Sequence, residues 1–398
     1  MSIDELPQEI IFLIISYLDN ASLLSVIKTA RFLRPQAEYA LYRRVDLHEG
    51  QMSQTRTIDF LIAVVRNPRL GNLVYSFHPH NVNYHMALAS TGEFVEILAY
   101  GTKFLRNLKT LMLRRLHGGI PQYLHWNFFQ IPPFQLQRLL LRFRYTGIQN
   151  ASTLCRDLLQ LLQCHPRLRH LCLYLPVEPS WGDAKLFSKA FWPSLEVLEG
   201  TDAVIPLLLP KGRVKSLLWD CDRPQQTSLR SARDLDTGPC LRNTFFTPEL
   251  CEAYSRLENL VIYDQITLLP ILSKFLSTLK TLLLSVWVPS SRDDQLSSQW
   301  DERLFMGAIR EMRNLEVLAV TWLRDSDVGL DHKAVFVASR SLKYFSFVVN
   351  GDCQILQSPV YMGRGANGDV YPVLRDTILD TPYLHRGWFT FDTEDENL

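Results

Sequence analysis

The stretch Leu108-Lys109-Thr110-Leu111-Met112-Leu113 carries the spacing Leu-x-x-Leu-x-Leu, and the chain goes on to repeat it. Leu136-Leu139-Leu141 and Leu168-Leu171-Leu173 follow in the same form. Looser copies stand at Leu195-Leu198, Val214-Leu217-Trp219, Leu257-Leu260-Ile262, Leu279-Leu282-Leu284, Leu315-Leu318-Val320 and Leu342-Phe345-Phe347. The last two apolar positions of each copy alternate at period two, as in a short strand with one buried face. Helix-like stretches lie between copies, among them Leu154 to Leu162, Leu268 to Leu276 and Leu304 to Met312. A weaker copy precedes them near Leu70 to Phe77, with Ile58 to Val65 as its helix.

A strand-then-helix unit recurring every few tens of residues resembles the leucine-rich repeat. That resemblance implies an α/β solenoid with a parallel sheet on its concave face and helices outside. The copies are irregular, with starts as close as Leu195 and Val214 and as far apart as Val214 and Leu257. The Asn that regular repeats place after the strand is missing from most of them. A nonrepetitive α/β domain is the alternative. Against it stand nine copies, most preceded by a polar or basic residue, as in Arg106-Asn107 and Arg313-Asn314.

The repeat phase predicts which side chains line the concave sheet. The columns read Thr110, Met112, Arg114; Arg138, Leu140, Arg142; and His170, Cys172, Tyr174. Later units supply Val197 and Glu199; Ser216, Leu218, Asp220; Asn259, Val261, Tyr263; and Tyr344, Ser346, Val348. This mixed set brings no acid, base and nucleophile together, so it reads as a recognition face. Between Ile97 and Arg156 there is no Asp or Glu, while Arg106, Lys109, Arg114, Arg138 and Arg142 are all basic. Guanidinium forks bind carboxylates and phosphates bidentately. Arg114, Arg138, Arg142, His170 and Tyr174 are therefore the candidate surface for an acidic or phosphorylated protein substrate. An ordinary solvated basic face explains the same residues equally well.

The chain opens differently. Ile10 to Ile15 are six consecutive apolar residues, followed by Tyr17 and Leu18. An amphipathic helix hiding one face needs apolar residues only at i, i+3, i+4 and i+7. Here one stripe holds Ile10, Ile14, Tyr17 and Leu18, and a second holds Ile11, Ile15 and Leu18. Pro7 suits a first-turn position, and Ser22 is placed to cap a second helix through Leu23, Leu24, Val26 and Ile27. Pro35 admits a third over Ala37, Ala40 and Leu41, before Val45-Asp46-Leu47 becomes extended. Residues 3–47 resemble the F-box in Leu6, Pro7, Glu9, Ile10, Ile14, Tyr17-Leu18, Leu23-Leu24, Val26 and Ala30-Arg31, with a continuation like that of fungal F-box proteins. Leu33 departs from the Trp that many F-boxes carry there.

The resemblance implies a non-catalytic substrate receptor of a Skp–cullin–F-box ubiquitin ligase. Leu6, Pro7, Ile10, Ile14, Leu18, Leu23 and Leu24 would dock the Skp-family adaptor and, through it, a cullin. A cullin-independent F-box scaffold and a general protein-interaction solenoid are the alternatives. A helical hairpin packed on the chain's own repeats is the blander reading of the same segment.

Bulk properties fit that reading. Of 398 residues, 47% are hydrophobic and 21% charged, an ordinary globular balance. A net charge of +1 disfavours nucleic-acid binding. Seven cysteines, without zinc-like spacing, suit reduced thiols in cytoplasm or nucleus. No segment reads as a membrane span or signal peptide. Gly363-Arg364-Gly365-Ala366-Asn367-Gly368-Asp369-Val370 matches a kinase nucleotide loop, but no lysine follows it, so a glycine-rich turn in a C-terminal cap is expected. His78-Pro79-His80 with His85 lacks further ligands and is expected in a surface loop. No metal, cofactor or catalytic residue is expected. The predicted organisation is an F-box over 1–48, then a linker helix and first degenerate repeat over 49–100. A solenoid over 101–350 carries a polar excursion at 221–247 and a shorter one at 289–303. A cap and acidic tail fill 351–398, with Trp388 to Phe391 as a last strand.

Overall fold

The computed structural model describes residues 6–47, 53–79, 97–98, 100–116, 134–143, 158–174, 191–202, 204–220, 246–263, 268–287, 302–323, 331–351, 354–355 and 360–374. They form a mixed α/β protein divided into two compact units, Met1–Leu195 and Glu196–Leu398. The excursion at 221–247 lies almost wholly outside the described residues, as do most of 289–303, Trp388 to Phe391 and the acidic tail.

The first unit starts with three helices, α1 (Gln8–Ser16), α2 (Asn20–Thr29) and α3 (Arg34–Arg43). Their shared core is Ile11, Ile15, Leu23, Leu33 and Ala37, with Leu6, Leu18, Val26 and Ala40 packed against it. Leu33 is thus a core residue. The cap of α2 differs from expectation. Asp19 caps it, its carboxylate accepting the Ser22 N–H at 2.8 Å. A carboxylate at this position also complements the helix dipole, which a hydroxyl does not. Pro35 lies in the first turn of α3, where its missing N–H has no intrahelical partner to lose.

No linker separates these helices from the sheet. Strand β1 (Arg44–Asp46) begins at the residue after α3. The chain continues through α4 (Ser53–Arg66), α5 (Pro68–Gly71) and β2 (Ser76–His78). It goes on through β3 (Thr110–Leu116), β4 (Arg138–Phe143) and β5 (His170–Tyr174). Each strand pairs in parallel with the one before it. The weak copy near Leu70 is therefore a genuine strand unit, with α4 as its helix. Glu38 ties α3 to this unit. It is buried, accepting from Arg34 at 2.9 Å and from Arg69 of α5 at 2.6 Å. Burial pushes its carboxyl up, but hydrogen bonds and charge from the two arginines outweigh that and hold it below its ordinary value.

All nine Leu-x-x-Leu-x-Leu copies form strands. The repeating block begins three residues earlier than the leucine spacing suggests. In six of the nine copies the N–H of Leu108, Leu168, Leu195, Leu257, Leu279 and Leu315 bonds back to the carbonyl of Leu105, His165, Trp192, Tyr254, Leu276 and Met312. All six of those earlier residues are buried. The polar residues between them tie neighbouring copies together: Asn107 Nδ2 donates to the Asn72 carbonyl at 2.6 Å, and Asn314 Nδ2 to that of Ser277 at 2.7 Å.

In the second unit β6 (Val197–Gly200), β7 (Ser216–Asp220), β8 (Asn259–Tyr263), β9 (Thr281–Trp287), β10 (Val317–Leu323) and β11 (Tyr344–Gly351) are parallel in chain order. The sheet ends antiparallel: β12 (Gln354–Ile355) and β13 (Val360–Arg364) pair β11, and β14 (Val370–Pro372) pairs β13. Helices Pro248–Tyr254, Glu302–Glu311 and His332–Ala338 occupy connections, the first and third capped by Thr247 and Asp331. The helix expected from Leu268 to Leu276 is only Leu269–Leu272, because Leu276 already belongs to the next copy's turn.

Candidate functional site

The three-helix core sorts the apolar residues of α1. Ile11 and Ile15 are buried in it and Leu18 packs against it. The other stripe has no such cover: Ile10 is 42% exposed, Leu13 52%, Ile14 41% and Tyr17 82%. These four stand at i, i+3, i+4 and i+7, so they form one continuous face. Phe12 lies to the side, its ring edge-on to Tyr39 at 6.2 Å. Of the remaining residues expected to dock the adaptor, Pro7 and Leu24 are exposed, Leu6 is half-buried and Leu23 is core. Leu13 and Tyr17 belong to the face although the docking set omits them. Their helical spacing from Ile10 was the available signal.

A second surface is the sheet face turned away from the buried leucines. In the first unit its leading row runs in register as Arg44, Ser76, Thr110, Arg138 and His170. Arg138 is exposed and His170 half-buried. Burial, with the Arg138 charge beside it, lowers the His170 imidazole to about 4, so it is neutral at physiological pH. Further along, Arg142 sits 4.8 Å from the centre of the Tyr174 ring, and that ring is buried. Arg114 lies on β3 past Leu113, where the register with β4 shifts, so the two-residue phase linking Arg114 to Arg142 breaks there. Among the expected surface residues, the structure brings Arg138 beside His170 and Arg142 beside Tyr174.

Two other sequence expectations change. His78 is not in a loop: it ends β2, buried, with Nδ1 3.1 Å from the Asp46 carboxylate on the neighbouring strand. His80 and His85 lie outside the described residues. The sheet face of the second unit is not mixed but apolar through its centre. Leu218, Val261, Leu283 and Val317 are buried there, with Tyr263, Ala319, Tyr344, Tyr361 and Val373 against them. The glycine-rich segment is a hairpin turn between β13 and β14, with Gly368 at φ +86°. A left-handed backbone suits glycine. Beneath it a cleft of about 470 Å³ is lined by Glu316, Arg340, Lys343 and Arg364. Arg364 there donates to the carbonyls of Arg340 and Phe336, and Lys343 bonds Glu316 at 2.8 Å. Through Arg364 the hairpin is tied back to the segment that precedes β11.

No protein-family model matches this chain, and no curated protein matches it. Among the described residues, no helix is long and apolar enough to cross a membrane.

Proposed function

We propose that the chain is a substrate receptor: an F-box-type module that docks a Skp-family adaptor, followed by leucine-rich repeats that hold a target protein. The observation that carries this reading is α1. One of its apolar stripes fills the module's own core, while Ile10, Leu13, Ile14 and Tyr17 remain on the surface. Water-exposed apolar residues in a continuous helical stripe are the mark of a helix meant for a groove on another protein. The order of helices, the opening Leu6-Pro7-Gln8-Glu9-Ile10 and the direct run into a repeat sheet all agree with an F-box.

In this reading the chain itself performs no chemistry. Adaptor and cullin bring a charged ubiquitin-conjugating enzyme close to a target held on the repeats, and proximity raises the effective concentration of target lysines. It acts in the cytoplasm or nucleus. Affinity capture of the tagged full chain tests it. Recovery of a Skp-family adaptor with a cullin supports the ligase. Adaptor without cullin supports a scaffold, and recovery of neither protein refutes the F-box assignment.

A further inference from the structure

Tyr17 differs from the rest of the α1 stripe in carrying a hydroxyl at the end of its ring. It is 82% exposed, against 57% for Tyr100 and 46% for Tyr371, the other exposed tyrosines among the described residues. Tyr100 leans edge-on against Phe104 at 5.5 Å, whereas the Tyr17 side chain makes no hydrogen bond, ion pair or ring contact among the described residues. Tyr17 caps the C-terminus of α1, and only Leu18 and Asp19 separate it from α2. Leu18 turns inward to pack against the core, so Tyr17 stands outward on an exposed bend. The chain around it is acidic. Asp4, Glu5, Glu9 and Asp19 lie within the first 27 residues, which contain no lysine or arginine.

We propose that Tyr17 is a phosphorylation site that switches off adaptor docking, an inference that rests on α1 as the docking helix. A protein tyrosine kinase, with ATP–Mg as phosphoryl donor, supplies the reaction. The Tyr17 Oη forms a bond to the γ-phosphorus, and the bond from that phosphorus to the β,γ-bridging oxygen breaks. ADP leaves, and the phenolic proton passes to the base of the kinase. The product carries a charge of about −1.5 to −2 at pH 7. In the undocked chain water solvates that charge, and Tyr17 lies outside the module's core cluster, so the fold keeps its stability. Docking is different. Ile10, Leu13 and Ile14 share one helical face with Tyr17, so whatever covers them strips water from the phosphate as well. A dianion desolvated among apolar side chains costs far more than the hydroxyl it replaces. α1 holds no basic residue to pair with it, and Asp19, two positions on, adds like charge.

The test uses the full chain in three forms: unmodified, with phosphotyrosine installed at position 17 by stop-codon suppression, and Tyr17→Phe. Titration calorimetry against a purified Skp-family adaptor reads docking, and melting followed by circular dichroism reads the fold. The phosphorylated chain should bind at least about tenfold more weakly than the unmodified one, with an unchanged melting temperature. Treating the folded chain with a tyrosine kinase and ATP–Mg, then mapping by mass spectrometry, should label Tyr17 ahead of Tyr100 and Tyr371 and spare the buried Tyr254. The same treatment should weaken adaptor binding by the starting chain and leave Tyr17→Phe at its own untreated level. Equal or tighter binding by the phosphorylated chain overturns the switch alone, as does absence of label at Tyr17. Weaker binding accompanied by a lower melting temperature also overturns it, because the effect then lies in the fold. An unmodified chain that binds no adaptor refutes the receptor reading, and the switch falls with it.

Discussion

Replacing Ile10, Leu13 and Ile14 together by Ser should abolish adaptor capture without unfolding the protein. Fully burying one such side chain is worth about 1.5–3 kcal/mol. Scaled by the fractions still exposed, 42%, 52% and 41%, the three together hold about 2–4 kcal/mol of unspent burial. That corresponds to roughly 30- to 700-fold in Kd. The folded state should barely notice, because none of the three belongs to the module's core cluster and exposed substitutions usually change stability by no more than about 0.5 kcal/mol each. Ile15→Ala is the opposite case. It is 2% exposed and should destabilise the helices by about 2–5 kcal/mol. Titration calorimetry against a purified Skp-family adaptor reads the first effect, and thermal unfolding reads both. Undiminished adaptor affinity in the triple variant would refute the argument from the exposed stripe. So would a melting loss as large as that of Ile15→Ala.

Other consequences are equally direct. Glu38→Gln removes a buried carboxylate from two arginines and should cost about 1–3 kcal/mol, seen as a lower melting temperature and faster amide exchange in α3 and α5. Because the Glu38 carboxyl is held below its ordinary value, its stabilisation is complete above the unfolded value and lost as pH falls through the folded one. His165, buried and lowered to about 4, works over a higher window. The unfolded chain takes up a proton near 6.5 and the folded one does not, so stability should decline from pH 6.5 towards 4, by about 3 kcal/mol for this group. Denaturant titrations across that range check it, and NMR of the His165 ring should show the neutral form at pH 5. Gly71→Ala should destabilise by about 1–3 kcal/mol, since its Cβ would lie 2.5 Å from the Phe104 carbonyl oxygen and 2.8 Å from Val64. Gly307→Ala, with open space and a helical backbone, should stabilise by about 0.5–1 kcal/mol.

The strands were legible because burial on one face imposes a period that chemistry cannot disguise: every Leu-x-x-Leu-x-Leu copy became a strand. What hid was the turn before each strand. Its buried position is filled by Leu105, His165, Trp192, Tyr254, Leu276 and Met312, residues so different that no single letter marks it. His165 shows why. Its Nδ1 accepts the Leu136 N–H at 3.3 Å and its ring stacks on Phe134, so a polar residue fills an apolar slot. The two stripes of α1 were visible in the sequence, but which one faced inward depended on where α2 and α3 lay. The phase of the basic residues failed at Arg114, where the register shift after Leu113 broke the alternation. The apolar centre of the second unit's sheet face shows in no single copy. Leu218, Val261 and Leu283 become one surface only when the strands stand side by side.

The absence of any residue between α3 and β1 has a mechanical meaning. A receptor strung on a flexible linker delivers its cargo by chance encounter, over every angle the linker permits. Here the last turn of α3 runs straight into the sheet and is bolted to it by Glu38, Arg34 and Arg69 and by the Tyr75 N–H on the Arg43 carbonyl. Whatever grips α1 is therefore held at a set angle to the sheet face of the same unit. In the proposed receptor, geometry of that kind would select which lysines of a bound target come within reach. There the Glu38 joint would govern aim, and loosening it would blur the choice of lysine while leaving both grips intact.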